Sequence, residues 1–409
     1  MHLLDCSVRD YAWGSTSHIP RFLGEEPDGR PRAELWIGAH DGDPSRLTDG
    51  RTLDDAIRAD PDAMVGDRVR TLFGPRLPFL MKALAAAEPL SLQVHPSTER
   101  ARIGYALEDA AGIALGAPDR SYQDMFHKPE LIYALTRFEG MAGFRDVESS
   151  VRILRMLDVP WADETAWQLE DGPAYQALRG VVSEMLAMSG PEVEKVLSDL
   201  RVAAGRAEER GHREDRRTRH RLRDRTDVAR EATRVFAQTV ALIDRYPSDP
   251  GVLVTLLLNH VVLAPGEAMF IDAGVIHAYT SGFGVEIMAS SDNVVRAGLT
   301  PKHIDVAELL QITNFTPMPP PLWDPTIRGE VADFKPPVTE FALSVGPTPI
   351  GGPAVAGPRI VLALDGDMLV TTEKDSQALA RGQAMFLSES DGAATVMGQG
   401  RVAIGSVPQ

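Results

Sequence analysis

The chain has 409 residues, of which 44% are hydrophobic and 24% charged, with 35 Gly and 30 Pro. That is globular composition with room for two or three domains, and it excludes wholesale disorder, a collagen-like repeat and a coiled coil. Lys and Arg number 42 against 58 Asp and Glu, a formal charge of −16, which excludes nucleic acid as the main partner.

The segment 1–145 is rich in Gly, Pro and short apolar stretches. Its Cys6 is the chain's single cysteine, so no intrachain disulfide is possible and a reducing, cytoplasmic setting is expected. No basic apolar leader precedes it. Over 90–95 the sequence Leu-Ser-Leu-Gln-Val-His alternates strictly, the period of a strand. Leu90, Leu92 and Val94 then share one face, and Ser91, Gln93 and His95 the other.

From 146 to 247 the pattern becomes helical. Val193, Val196, Leu197 and Leu200 recur at helical spacing after Ser189-Gly190-Pro191, with Pro suited to a first turn. Val228, Val235, Phe236, Val240 and Ile243 repeat that spacing until Tyr246-Pro247 stops it. Between them, 205–230 is packed with Arg but has no aromatic residue for base stacking, and it interleaves acids at spacings such as Glu209/Arg213 and Asp215/Arg219. An exposed helix or a loop is the expectation there.

Strand-like character returns after 247. The run 252–264 is apolar, but Asn259 and His260 interrupt it and it is too short to span a bilayer. The Pro-rich stretch 317–325 reads as a connector. One internal echo follows: 264–273 (APGEAMFIDA) matches 380–389 (ARGQAMFLSE), each a Gly turn feeding an apolar strand. Two such units predict two related β-barrels. The offset that reaches His277 from the first copy reaches Ala393 from the second, so the first barrel carries the chemistry.

Four side chains form a candidate metal set: Gln93 and His95 on one strand face, Glu130 after Lys128-Pro129, and His277. Mixed nitrogen and oxygen donors without thiolate suit Zn²⁺, with Mn²⁺, Fe²⁺ or Co²⁺ as substitutes. One carboxylate against a dication leaves about +1, fit for an anionic or carbonyl-bearing ligand. Glu286 alternates with Val285 and Ile287 and can face the same interior. Arg296 and Lys302, among Ser, Asn and Gly, are candidates to grip a phosphate.

At these residues the chain resembles the type I mannose-6-phosphate isomerases. The resemblance rests on 89–96 (PLSLQVHP), 122–130 (YQDMFHKPE), 273–279 (AGVIHAY) and 284–305, supported by 11–15 (YAWGS) and 34–40 (ELWIGAH). It implies zinc held by Gln93, His95, Glu130 and His277, and a catalytic Arg296. It places Lys128, Glu286 and Lys302 in the pocket, with Trp13, Glu34 and Ser91 as further lining. It also implies a mainly β chain of two cupin barrels, the second degenerate, with an inserted α-helical domain. The boundaries are 1–145 plus 248–316 for the catalytic barrel, 146–247 for the insert and 317–409 for the C-terminal jelly roll. Where the family commonly has Asn this chain has Phe126, and where it often has Pro this chain has Ile276.

The implied reaction interconverts mannose 6-phosphate and fructose 6-phosphate through a cis-enediol. Lys128 is the first choice of base, Glu286 its competitor, and His127 a candidate helper in ring opening. A sugar phosphate is the expected partner, without nucleic acid or membrane; a monomer is the first expectation, and the sequence leaves an oligomer open. Two other classes fit some of these residues. An Fe(II) oxygenase could use His95, Glu130 and His277 as a facial triad, against which stand Gln93 and the Arg296/Lys302 pair. A non-catalytic barrel would bind a sugar phosphate without converting it.

Overall fold

The protein is described from a computed structural model, which covers residues 1–218, 227–351 and 357–408. Alternating side chains decide how its layers stack. In the strand Leu92–Val94, Leu92 and Val94 are fully buried against the helices. Ile276 and Ala278 do the same around His277, and Val295 and Ala297 around Arg296. The residues between them, Gln93, His277 and Arg296, therefore point to the opposite side.

The strand His277–Ala289 joins two sets of partners. Its first residues pair with Leu92–Val94 and Phe138–Phe144, and its later ones with Phe79–Ala86 and Glu130–Ala134. On that second set, Val285, Ile287, Met81, Ala83, Leu35 and Ile37 enter a core shared with Phe334, Phe341, Leu343 and Ile360 of the C-terminal sheet. One layer is thus backed by helices and the other by a second sheet. Glu34, Lys82, Glu130 and Glu286 are left between the layers, above an apolar floor containing Leu84, Ile132, Phe138 and Met269.

Among the described residues each sheet contains ten strands, and their hydrogen-bonded pairings branch without closing into a ring. The architecture is mostly β with several helices. The expected echo is realised closely: Ala268–Ile271 and Ala384–Leu387 each follow a Gly with positive φ, Gly266 and Gly382. The Ala264 N–H donates to Glu267 Oε2 and the Ala380 N–H to Gln383 Oε1, so the two turns share one hydrogen-bond pattern.

Helices follow one another from Val147–Arg155 to Asp227–Arg245. Asp146 caps the first by accepting from the Ser149 N–H, and Pro160 sits in the first turn of the next. The two periodic runs are Gly190–Thr218 and Asp227–Arg245, and Val193, Leu197, Leu200, Val235 and Phe236 are buried in them. Part of the Arg-rich stretch extends the first of these helices. Residues 219–226, with His220, and the side chains of the pairs Glu209/Arg213 and Asp215/Arg219 as pairs lie outside what is described.

Two features depart from the sequence reading. The strand His2–Asp5 pairs with Ala384–Leu387, so the first residues belong to the C-terminal sheet and the chain's halves are stitched together. The Pro-rich stretch 317–325 is not a free connector. Its Pro321 carbonyl accepts from Phe270, and the Trp323 N–H donates to Ala268, so it covers the edge of Ala268–Ile271. Among the described residues no helix is long and apolar enough to cross a membrane.

Candidate metal centre and active site

Gln93 stands at the junction of three strands, opposite His277 on one side and Arg296 on the other. Directly paired residues in a sheet have Cβ atoms about 5 Å apart, so the pairing alone gathers an amide, an imidazole and a guanidinium. Glu130 opens the strand Glu130–Ala134 across from Met288, and His95 follows the end of Leu92–Val94.

The ligand atoms of His95, Glu130 and His277 all lie within 4.8 Å of one another, and all three residues are buried. His95 Nε2 is 3.2 Å from Glu130 Oε1, and His277 Nε2 is 3.4 Å from Glu130 Oε2. Both imidazoles are oriented from behind. His95 Nδ1 donates to the Asn293 carbonyl at 2.7 Å, and His277 Nδ1 to the Val275 carbonyl at 2.9 Å. A carbonyl can only accept, so each ring carries a hydrogen on Nδ1 and turns its Nε2 toward Glu130. His95 Nε2 is buried without a hydrogen-bond partner among the described residues.

Burial lowers the His95 pKa to about 4, Glu130 opposing, so the ring is neutral near pH 7. Burial works to raise the Glu130 carboxyl, but the positive charge that its surroundings, Lys128 at 3.5 Å among them, can offer outweighs it and holds it well below the carboxylate range. Facing lone pairs around one ionised carboxylate are a donor set that fits a divalent cation. The Gln93 amide nitrogen is 3.4 Å from His277 Nε2, while its oxygen accepts from the Ser91 hydroxyl. A half-turn of that amide presents the oxygen to the centre and keeps a bond to Ser91.

Above the centre lies a cavity of about 550 Å³. Trp13, Glu34, Ser91, Gln93, Lys128, Glu130, Glu286, Arg296 and Lys302 all line it. His95 and His277 lie fully buried beside Glu130. His127 is the exception. It is absent from the lining, and its Nε2 is 2.8 Å from Glu340 Oε1, on the approach to the C-terminal sheet. The ring of His127, expected to help in ring opening, is thus paired with Glu340 rather than turned into the cavity.

The structure adds a buried charge network that sequence reasoning missed. Lys82 Nζ is 3.0 Å from Glu286 Oε2 and 3.4 Å from Glu34 Oε1, and the Trp36 indole donates to Glu34 at 2.7 Å. Burial opposes the Lys82 charge, but Glu286, Glu34 and Glu130 outweigh it and raise its pKa. Burial raises the Glu286 carboxyl, with Lys82 opposing. The available signal was one Lys inside the otherwise apolar strand Phe79–Ala86. Tyr279, whose hydroxyl is 3.4 Å from Glu130, and Arg245 with Tyr246 at the end of a helix also line the cavity.

Arg296 and Lys302 form no ion pair among the described residues. Burial lowers the pKa of each, and the charge of Arg296 lowers Lys302 further. Two cations without a counter-ion among the described residues have the charge that an anionic group would need. Of the two departures, Phe126 lies under the Arg76 guanidinium at 3.6 Å, and Ile276 packs against the helices. Neither side chain lines the cavity.

Comparison with known proteins agrees with this geometry. The family described as "Phosphomannose isomerase type I, catalytic domain" matches residues 1–147. The mannose-6-phosphate isomerase of Salmonella typhimurium is 37% identical over 415 residues, covering 98% of each chain. The human protein of that name is 31% identical, over 95% of this chain and 93% of its own. Among solved structures, the Salmonella typhimurium enzyme bound to its substrate and a zinc atom has a TM-score of 0.86 at 35% identity, covering all of both chains. A zinc-bound mannose 6-phosphate isomerase gives 0.85, covering 100% of this chain and 99% of its own. With near-complete coverage at this identity, the chain belongs to the mannose-6-phosphate isomerase family.

Proposed function

We propose that the chain interconverts mannose 6-phosphate and fructose 6-phosphate, with one zinc ion held by Gln93, His95, Glu130 and His277. The observation that carries this reading is the bare, buried Nε2 of His95 facing Glu130, at the base of a cavity that also holds two uncompensated cations. When bound, zinc supplies Lewis-acid polarisation of the sugar's oxygens.

Arg296 and Lys302 bind the phosphate and fix the sugar's direction in the cavity. Lys128, with Nζ 3.5 Å from Glu130 Oε1, moves the proton between C1 and C2 through a cis-enediol. Glu286 is the weaker candidate because its carboxylate is engaged by Lys82 at 3.0 Å. The Arg296 guanidinium also stabilises negative charge developing on the enediol oxygens. Trp13, Glu34 and Ser91 shape the lining around the sugar.

We read the chain as a catalytic cupin barrel over 1–145 and 248–316 that lends His2–Asp5 and Arg46–Leu47 to the C-terminal sheet, an inserted helical domain over 146–247 and a degenerate jelly roll over 317–409. The matching turns at 264–267 and 380–383 support the pair of barrels, and the helical core behind Leu92 and Val94 supports the insert. We also read it as cytoplasmic, a reading its single cysteine supports, and as a monomer. The test is a coupled assay of mannose 6-phosphate turnover before chelation, after chelation and with zinc restored. Turnover that is lost and then recovered is expected. Full turnover in protein shown to be free of metal would overturn the reading.

A further inference from the structure

Arg296 and Lys302 lie on either side of a turn whose backbone is unusual. Gly298 has φ 150° and Leu299 has φ 57°. The left-handed region disfavours a residue with a side chain by about 1 kcal/mol or more, so something outside the turn must hold Leu299 there.

The holder is Asp249, four residues beyond the helix Asp227–Arg245. Its Oδ2 accepts from the Leu299 N–H at 2.6 Å, and its Oδ1 accepts from the Gly251 N–H at 2.7 Å. The Thr300 N–H is directed at the same carboxylate. Burial raises the Asp249 carboxyl, and these three backbone donors oppose it. The two segments touch at glycines: a Cβ on Gly251 would lie 2.6 Å from Gly298 Cα and 2.7 Å from the Ala297 carbonyl. Leu299 itself is buried against the helical core.

The path of the chain after Arg296 is thus set by one carboxylate on another segment. Arg296 is fixed by its pairing with Gln93, whereas Lys302 lies beyond the turn. Like charges repel, and a loose turn would let the ammonium drift from the guanidinium into solvent. We propose that Asp249 is a positioning residue that holds the Gly298–Thr300 turn so that Arg296 and Lys302 converge on the substrate's phosphate. This deepens the reading above and rests on its assignment of that pair to the phosphate.

The test uses zinc-loaded enzyme and inorganic phosphate as a competitive probe. Asp249→Ala raises KM and the phosphate inhibition constant about tenfold, with kcat within about threefold and zinc content unchanged. Asp249→Asn keeps one acceptor oxygen and recovers part of the loss. It also gives the same split at smaller amplitude if the Ala variant does not fold. Unchanged phosphate inhibition in Asp249→Asn and in any folded Asp249→Ala, or a fall in kcat and thermal stability with no change in KM, overturns the inference. Lys302→Ala is the control. If it leaves phosphate inhibition unaltered, the phosphate assignment itself fails. If it weakens inhibition while the Asp249 variants do not, only the positioning role falls.

Discussion

His95 Nε2 and Glu130 Oε1 stand 3.2 Å apart in a fully buried setting, and neither neutral imidazole nor carboxylate brings a hydrogen to the contact. Such an arrangement is repulsive by itself and attractive only around a cation. His95→Ala is therefore expected to weaken zinc binding by roughly two orders of magnitude or more, taking turnover with it. Metal content after dialysis against a graded chelator measures this. A His95→Ala protein that retains stoichiometric zinc contradicts it.

Lys128 lines the cavity and contacts Glu130 without being one of the proposed metal donors. Lys128→Met is expected to keep its zinc and lose roughly 100- to 10,000-fold in kcat, the range of a lost acid–base group. Steady-state kinetics beside metal analysis decide the matter. Normal kcat in the zinc-loaded variant would hand the role to Glu286.

Lys82 holds two buried carboxylates, so removing it strands both. Lys82→Met is expected to destabilise the fold by about 3 to 5 kcal/mol. Lys82→Met/Glu286→Gln, with one carboxylate neutralised, should recover part of that. Thermal or urea denaturation reads both variants, and equal stability of single and double mutants would show that the network is not coupled.

His260 is buried far from the metal donors in sequence, on a strand behind which Arg145 is also buried. Burial, with Arg145 adding to it, lowers its pKa to about 3, against an ordinary value of 6.5. The unfolded chain thus takes up this proton first. The stability contributed by the neutral ring is complete above pH 6.5 and is lost as pH falls toward 3, at about 1.4 kcal/mol per unit at most. His260→Gln should flatten that part of the profile of denaturation midpoint against pH. A wild-type profile that is already flat between pH 6 and 4 contradicts the assignment.

Much of the site was legible because its logic is local. Alternation over 90–95 put Gln93 and His95 on a polar face, and the spacing around Glu130 and His277 supplied the other donors. The helices were legible from apolar spacing and from stops such as Tyr246-Pro247. What escaped depends on register between distant strands. Nothing near Lys82 shows that Glu286 lies directly opposite it, some 200 residues later. The His127 partner, Glu340, is equally remote, so a motif position beside Lys128 read as a pocket residue when its ring is turned to the C-terminal sheet. The path of 317–325 along an edge was hidden because proline-rich sequence marks irregular backbone without saying what that backbone covers.

The docking of His2–Asp5 on Ala384–Leu387 has a consequence for biosynthesis. The strand His2–Asp5 has no neighbour on that side until about 380 more residues have been made. The edge waits while those residues are made, and a chain interrupted before Ala384 leaves it open to pairing with another nascent chain. Premature termination late in the message should then yield aggregates rather than a smaller working enzyme.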